Sequence, residues 1–563
     1  MNLITRRSKA TQISRRITVS LVIAIFAPLA GAQWSPGQGD WTKSHQTDVR
    51  VMTYNIYEGI SSMETKTDGP TQWNALAMIV AAIQPDILII QEGGDNSNIV
   101  PGASVDSPQV LTNVMDMFIN GGVDIYNNNQ PVTAYVRRYA PDFEMPYIFV
   151  STITDNFNRN VILSRYPFKD LNATGSALRS DMHPHLPAGW APGGNGGIRG
   201  MQFAEIDLPD HIYAGDIIVG NAHLKAFGDA ASRAQRLEAA QNLSSYVQQF
   251  FYGDASNVPN PNGWVLTSNP PAIVPCRYTP VIYGGDLNED EATNNRRGPA
   301  EWMRAGAVTG GNDGIDRDGS DGAFDNAVDV FSGNRATFGS STKLDYLIYP
   351  DSIVGRRRAF IFNSATASAN NALPPFFSQF GGPPQNISVI ASDHRPVVLD
   401  AILTLAHEGD CRPGSFQLTG PVSGTLVTEP EPVFDWEAAE EAVSYSLIIA
   451  TDASFNDIVF EQHNIRSTSF TLPAGVLDSC GTFVWTVDAE NPSGTTGAQQ
   501  GSESFVIPSP ADLTGDGIVD ADDFFLFLQL FAAGDPRADF NNDGVIDADD
   551  FFAFLTAFAA GCP

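Results

Sequence analysis

Cysteine is scarce in this chain: four residues among 563, at Cys276, Cys411, Cys480 and Cys562. Their spacing fits no zinc-ligand pattern, and an even number suits an oxidising compartment. Four cysteines allow three pairings; the preferred one joins Cys411 to Cys480, which fall at or in one small predicted domain. Basic residues are also few, with 32 Lys and Arg against 64 Asp and Glu, a formal net charge of −32. Such a chain gains nothing from counterion release on a polyanion, which argues against a processive, high-affinity DNA binder. A hydrolase that meets its substrate locally, through a bound cation, is not excluded. Acidity that keeps an extracellular protein soluble accounts for most of the charge. The only dense basic cluster is Arg356-Arg357-Arg358. Long apolar runs are lacking as well, save one from Ile17 to Leu29. It follows Arg6, Arg7, Lys9, Arg15 and Arg16 and ends at Ala30-Gly31-Ala32. That reads as a secretory signal with an A-x-A cleavage site, too short for a membrane anchor. A secreted or cell-surface protein with no transmembrane segment, its mature chain starting near Gln33, is the expectation.

What is present divides the chain by texture. At 43% hydrophobic and 17% charged residues the protein is globular, and 563 residues exceed what one core supports. Charge is uneven: +5 over residues 1–32, −16 over 33–411, and −21 over 412–563, where 3 bases face 24 acids. Residues 33–408 alternate β-rich runs with Gly/Asn/Pro loops and helical stretches at Trp73–Gln84 and Ala230–Gln249, which predicts an α/β domain. Residues 412–508 hold only strand signals, about one per ten residues, the pattern of an all-β sandwich with Trp436 and Trp485 in its core. That segment resembles a fibronectin type III or related immunoglobulin-like module.

The last region, 511–563, repeats itself. DLTGDGIVDADDFFLFLQLF starts at Asp512 and DFNNDGVIDADDFFAFLTAF at Asp539, an offset of 27 positions. Each opens a twelve-residue loop with oxygen ligands at positions 1, 3, 5, 9 and 12 and a glycine at 6. The first set is Asp512, Thr514, Asp516, Asp520 and Asp523; the second is Asp539, Asn541, Asp543, Asp547 and Asp550. The backbone carbonyls of Ile518 and Val545 supply position 7. So many carboxylates around one loop repel each other unless a hard cation such as Ca2+ neutralises them. Each loop has Asp at position 12 and one helix after it, with none before. Both traits resemble a dockerin, a calcium-folded module that docks onto a cohesin; a cohesin-like or cell-surface partner is implied.

Within 33–408 a set of apolar runs ends on residues that hold cations or move protons. They are VRVMTYNIYEG (Asn55), PDILIIQEGGD (Glu92), IIVGNAHLKAF (His223), VIYGGDLNED (Asp286, Asn288) and IASDHRPVVL (Asp393, His394); KLDYLIYP adds Asp345. A sheet delivers side chains to one rim in this way. Hydrolysing a phosphodiester needs a cation on the phosphate, an activated water and a stabilised leaving oxygen. Mg2+ takes few carboxylates and keeps waters, so Glu92 and Asp393 with the neutral oxygen of Asn55 suffice as ligands. Asp286 and Asn288 can orient the nucleophile or contact phosphate. His394 and His223 suit proton transfer, with Asp345 available to hold the His394 ring.

In this order the segments resemble the endonuclease/exonuclease/phosphatase superfamily, from about residue 49 to 404, with GDLN, LDY and SDH its more specific elements. Members include pancreatic-type deoxyribonucleases, abasic-site endonucleases, neutral sphingomyelinases and inositol polyphosphate 5-phosphatases. The resemblance implies a DNase I-like two-sheet α/β sandwich flanked by helices, with Asn55, Glu92 and Asp393 engaging Mg2+ or Mn2+. It implies that Asp286 and Asn288 contact phosphate and attacking water, and that Asp345 orients His394 as general base. His223 matches a histidine of deoxyribonuclease-like and sphingomyelinase-like members that assists the leaving group; its carboxylate partner is not identifiable in the sequence. Abasic-site enzymes lack that histidine, so repair is disfavoured. FNRNVILSRYP matches a family strand where Arg159 or Asn160 touches phosphate.

An extracellular endonuclease is the leading reading of substrate. A sphingomyelinase-like lipid phosphodiesterase or another phosphatase of the same superfamily stands behind it, and a surface-attached binding protein without activity is the further alternative. A nuclease is expected to show a basic strip and a lipid enzyme an exposed aromatic hairpin; PPFFSQFGG and QQFFYG read rather as core. The acidic loop 311–325 either binds calcium or is merely solvated.

Overall fold

The computed structural model describes residues 34–563 apart from 61–64, 95–98, 101–105, 153–157, 171–200, 252–274, 277, 306–322, 352, 407–410, 478–479, 492–493 and 561–563. The expected secretory segment, most of the acidic loop and Cys562 lie outside the described residues. No helix among the described residues is long and apolar enough to cross a membrane.

The strands of the first region are β1 (Val49–Asn55), β2 (Ile87–Gln91), the small hairpin β3 (Gly122–Asp124) and β4 (Gln130–Val132), β5 (Tyr147–Val150), β6 (Val161–Ser164) and β7 (Met201–Ile206). They continue with β8 (Ile217–His223), β9 (Val281–Asp286), β10 (Ala323–Phe324), β11 (Val328–Asp329), β12 (Asp345–Tyr349), β13 (Val354–Ile361) and β14 (Val397–Leu403). They form a seven-stranded sheet in the order β11-β13-β14-β1-β2-β6-β5 and a five-stranded sheet in the order β10-β12-β9-β8-β7. β1, β2, β8 and β9 are buried along their whole length, which is why they read as continuous apolar runs rather than alternating ones. Val51, Ile89, Ile162 and Leu399 of one sheet meet Ile206, Val219, Ile282 and Leu347 of the other in a shared core.

Helices cover both outer faces. α1 (Gln72–Ile83) and α2 (Pro108–Asn120), with short α3 (Val136–Tyr139), pack Trp73, Leu76, Met115 and Phe118 on the first sheet. α4 (Ala230–Phe250) and α5 (Pro299–Ala305) pack Leu243, Tyr246 and Met303 on the second. Short α6 (Ser364–Ala369) and α7 (Ile387–Ala391) precede β14. The expected two-sheet α/β sandwich is therefore present. α1 is one residue earlier than predicted, because Thr71 accepts from Asn74 N–H as its cap and Gln84 stops it in left-handed backbone (φ 50°). Arg50 and Asp400 face each other in the β1–β14 register, pair through two contacts of 2.6 and 2.8 Å, and are fully buried.

The preferred cysteine pairing is corrected: Cys411 is bonded to Cys276, with Cα atoms 5.5 Å apart. The reason lies in topology. The chain leaving β14 runs beside the segment entering β8, where Ala214 N–H donates to Thr404 O. β8 in turn pairs with β9, and Cys276 lies just before β9. Cys480 is also disulfide-bonded.

Between Leu418 and Ile507 there are two further sheets, of three and six strands, around one core that includes Phe434, Trp436, Leu447, Trp485 and Phe505. The Trp485 indole donates to Pro421 O at 2.9 Å. α8 (Ala521–Ala533) and α9 (Ala548–Ala560) follow, each opening on one of the acidic repeats. Phe527 and Phe554, equivalent positions of the repeat, stack face to face at 4.1 Å.

Candidate active site

Pairing brings the polar strand ends to one rim between the two sheets. Asn55 is level with Gln91 in the parallel β1–β2 register, and Glu92 follows in left-handed backbone (φ 54°). His223 is level with Asp286 in the parallel β8–β9 register, and Asp286 is level with Asp345 in the antiparallel β9–β12 register. The glycines before Asp286 are required by this crowding. A Cβ on Gly284 would lie 1.9 Å from Tyr346 O, and one on Gly285 2.1 Å from Ala222 O. Asp393 and His394 enter from the loop before β14, and Ser392 fixes that loop by donating its hydroxyl to Asn55 O at 2.7 Å and accepting from His394 N–H at 3.0 Å.

Asp286 is the hub. Its Oδ2 lies 3.0 Å from Asn55 Nδ2, 3.3 Å from His223 Nε2 and 3.7 Å from His394 Nε2. Glu92 Oε1 is 3.2 Å from Asn55 Nδ2 and 3.7 Å from His223 Nε2. The other ring nitrogen of His394 meets Asp345 Oδ2 at 2.8 Å, and the Phe338 ring packs on the imidazole with centroids 5.1 Å apart. His223, Asp286, Asp345 and His394 are all buried. The carboxylate partner that the sequence did not show for His223 is thus Asp286, with Glu92 behind it.

Burial and charge act against each other here. Burial favours a neutral Asp286, but the charge of His394 and the hydrogen bonds from His223 and Asn55 outweigh it, holding the carboxyl well below the usual range. Burial also favours a neutral His394; the charges of Asp345 and Asp286 win, and the imidazole is pushed up to about 10. Burial raises Asp345, and the opposing pull of His394 offsets this only in part. Burial raises Asp393 too, with the Glu92 charge adding to it.

Asp286, Asp345 and His394 present ligand atoms within 4.8 Å of one another. Because Asp345 Oδ2 and the His394 ring already hold each other, that trio works as a hydrogen-bonded relay more naturally than as a cation cage. Glu92 is one-sixth exposed (16%), and Asp393 stands at the surface and feels the Glu92 charge. With burial and the Glu92 charge raising the Asp393 carboxyl, these two side chains are oxygen donors of the kind a hard divalent cation takes. Asn55 differs from expectation: its Oδ1 already accepts from Tyr57 N–H at 3.0 Å while its Nδ2 braces Glu92 and Asp286. Ligation by Asn55 would use the second lone pair of that oxygen. Asn288, in left-handed backbone (φ 53°), donates its N–H to Asp286 Oδ1 at 2.9 Å and its side-chain amide to Leu224 O at 3.1 Å.

Other expected features are placed elsewhere. The Arg159 guanidinium is buried and donates to Asp106 O at 3.2 Å and Ser151 O at 2.9 Å. Asn160 is buried, its amide directed to Asn221 O at 3.4 Å. The Arg356–Arg358 cluster is no open strip. Arg356 donates to Asp325 O, Arg357 pairs with Asp48, and Arg358 pairs with Asp400 and lies over the Trp34 ring. Phe251, Phe377 and Phe380 are buried, in keeping with the core reading of the aromatic segments.

Sequence reasoning passed over the support beneath the rim. Gln91 Nε2 donates to Asn221 Oδ1 at 2.9 Å and to Thr53 Oγ1 at 3.0 Å, joining the sheets by a buried polar bridge. Thr337 Oγ1 accepts from Leu344 and Asp345 N–H at 2.9 and 3.2 Å and fixes the start of β12. The usable signal was a polar residue inside an apolar run, as in IIVGNAH and ILIIQE.

No protein-family model matches the chain, and no curated protein matches it. Among solved structures it is similar to an endonuclease/exonuclease/phosphatase family protein from Leptotrichia buccalis C-1013-b, at 12% identity over 63% of this chain and 99% of that one, with a TM-score of 0.32. It is similar to D. rerio TDP2, complexed with a single-strand DNA product, at 9% identity over 63% and 98%, with a TM-score of 0.30. A shorter likeness, over 17% of this chain and 88% of the other at 18% identity and a TM-score of 0.12, is to an Fn3-like protein from Clostridium thermocellum. Scores of this size carry no weight for the chemistry, which rests on the side chains.

Proposed function

We propose that the chain is a divalent-metal-dependent phosphodiesterase of the endonuclease/exonuclease/phosphatase kind, secreted and most readily an endonuclease. The observation that carries this is the meeting of Asn55, His223 and His394 within 3.7 Å of Asp286 Oδ2, with Asp345 holding the far side of His394. Glu92 and Asp393, with Asn55 beside them, would hold Mg2+ or Mn2+; bound there, the cation neutralises phosphate charge and lowers the pKa of water. Asp286 and Asn288 orient the attacking water and the phosphate. Asp345 fixes the tautomer and direction of His394, which exchanges a proton with that water. The negative charge of Asp345 and Asp286 favours the protonated His394 ring, and a cation held by Glu92 and Asp393 would oppose that charge and favour the neutral ring that can take a proton. His223, backed by Asp286 and Glu92, is placed to hand a proton to the leaving oxygen.

The remainder of the chain fits delivery and attachment. Residues 412–508 serve as a fibronectin III-like spacer, and residues 511–563 as a dockerin-like module that takes Ca2+ and docks to a cohesin-like or cell-surface partner. The loop geometry supports this. Asp512 accepts from Gly515 and Gly517 N–H, and Asp539 does the same from Asp543 and Gly544, so both repeats curl in one way around their first acid.

Purified mature protein should hydrolyse a bis-aryl phosphodiester with Mg2+ or Mn2+ and stop in EDTA. Activity that survives in both His394→Ala and Glu92→Ala rules the mechanism out.

A further inference from the structure

Two bulky aromatic residues stand exposed at the rim in left-handed backbone: Tyr57 (φ 47°, 59% exposed) and Phe227 (φ 77°, 72% exposed). Such residues rarely adopt this region, and it persists only where the surroundings hold it. Here they do. The Tyr57 carbonyl accepts from Gln72 Nε2 at 3.2 Å, and the same nitrogen bonds Ile56 O and Ala391 O. The Phe227 carbonyl accepts from Arg236 at 2.7 Å, and the same nitrogen bonds Lys225 O at 2.8 Å. Arg236 is buried and paired with Glu289, the neighbour of Asn288. Each strained aromatic is therefore tied by a side chain into the frame of the site.

Their positions are also paired. Tyr57 lies in the turn two residues beyond Asn55, the end of β1 in the seven-stranded sheet; Phe227 lies in the loop four residues beyond His223, the end of β8 in the five-stranded sheet. Asn55 Nδ2 and His223 Nε2 approach the same oxygen of Asp286, at 3.0 and 3.3 Å. The chain thus displays one exposed ring just beyond each of two strand ends, Asn55 and His223, that meet at Asp286. Lys225 Nζ sits 5.3 Å from the centre of the Phe227 ring, adding positive charge beside it.

We propose that Tyr57 and Phe227 are stacking platforms that select a single-stranded nucleic acid, each receiving the base on one side of the bound phosphodiester. This rests on the phosphodiesterase reading above. Separate rings with charged neighbours (Glu58 by one, Lys225 by the other) suit one base per ring, whereas a lipid surface asks for a contiguous apolar patch. Bases inside a duplex are already stacked on one another, whereas those of a single strand are free to lie on a protein ring.

The test is fluorescence anisotropy of a labelled oligo(dT) with the full chain in EDTA, followed by its hydrolysis in Mg2+. Tyr57→Ala and Phe227→Ala should each raise Kd by about tenfold or more, while Tyr57→Phe and Phe227→Tyr stay within about twofold of wild type. Tyr57→Gly and Phe227→Gly should weaken binding yet raise Tm, since glycine relieves the strain; a fall in Tm with unchanged Kd means a merely structural role and overturns the proposal. It is overturned too if the alanine variants bind oligo(dT) as wild type does, or lose only binding to sphingomyelin vesicles. Ring-dependent binding without hydrolysis in any metal leaves the stacking in place and removes the phosphodiesterase reading. Hydrolysis with ring-independent binding does the reverse.

Discussion

Asp345 meets the His394 ring through Oδ2 at 2.8 Å and donates its own N–H to Thr337 Oγ1 at 3.2 Å, so its direction is fixed before any substrate arrives. Asp345→Asn keeps that shape but offers an amide where the ring N–H needs an acceptor. By analogy with other carboxylate-oriented histidines, kcat should fall by on the order of 10³–10⁴ with little change in KM, read by steady-state hydrolysis of a bis-aryl phosphodiester. A loss under tenfold would show that Asp345 does not orient the ring. At this scale the sequence showed a good deal. Asn55, Glu92, Asp286 and His394 stood out because a polar residue at the end of an apolar run is aimed at a rim. Nothing in FNRN tells that the Arg159 guanidinium donates to the Asp106 and Ser151 carbonyls. The partner of His223 was hidden for another reason: Asp286 reaches it only through the β8–β9 register, across more than sixty positions of chain.

Elements add what single residues cannot. The loop after Asn288 is held by Glu291, which accepts from Gly298 N–H at 3.1 Å and Ala300 N–H at 2.9 Å at the start of α5. Burial pushes its carboxyl up from 4.5 to about 7, more than the two backbone donors pull it down. The folded-state pKa is therefore the higher one. The contribution of this group is fully present below about pH 4.5 and is lost as pH rises through about 7. Glu291→Gln should flatten the pH dependence of Tm between those values and gain on wild type at pH 8, measured by thermal melts at pH 5, 7 and 8. An unchanged slope would show the carboxyl is not buried as described. Strands and helices were legible here because buried parallel strands and capped helices leave strong patterns, as at VRVMTYN and at Thr71. The cap made by Glu291 was not, since the group it serves is nine residues ahead across a turn.

At the scale of the whole molecule the charge is the organising fact: the 152 residues from 412 onward carry −21, and the paired loops hold much of it. The bond between Cys276 and Cys411 could not be read from the sequence, because it depends on where β8 lies beside the exit of β14. The acidic loops turn their carboxylates inward on their own backbone. Asp523 accepts from Thr514 and Asp520 N–H, and Asp550 from Phe540, Asn541 and Asp547 N–H. The helices they introduce are 13 residues long, a length that is marginal alone in water, and of their shared core only Ala511, Phe527, Leu530, Ala538 and Phe554 are fully buried, with half-buried aromatics such as Phe524, Phe531, Phe540, Phe551 and Phe558 packed around them. Under so much like charge, the proposed role of Ca2+ in these loops is to offset the repulsion between their carboxylates. Calcium titration of the full chain by calorimetry should therefore give two sites, and one site after Asp539→Ala. The transition assigned to the C-terminal helices should rise in Tm with calcium and fall in EDTA, while the main transition of the two-sheet region moves little. Two sites that persist in Asp539→Ala, or a C-terminal transition indifferent to EDTA, would place the calcium elsewhere and leave these loops as solvated turns.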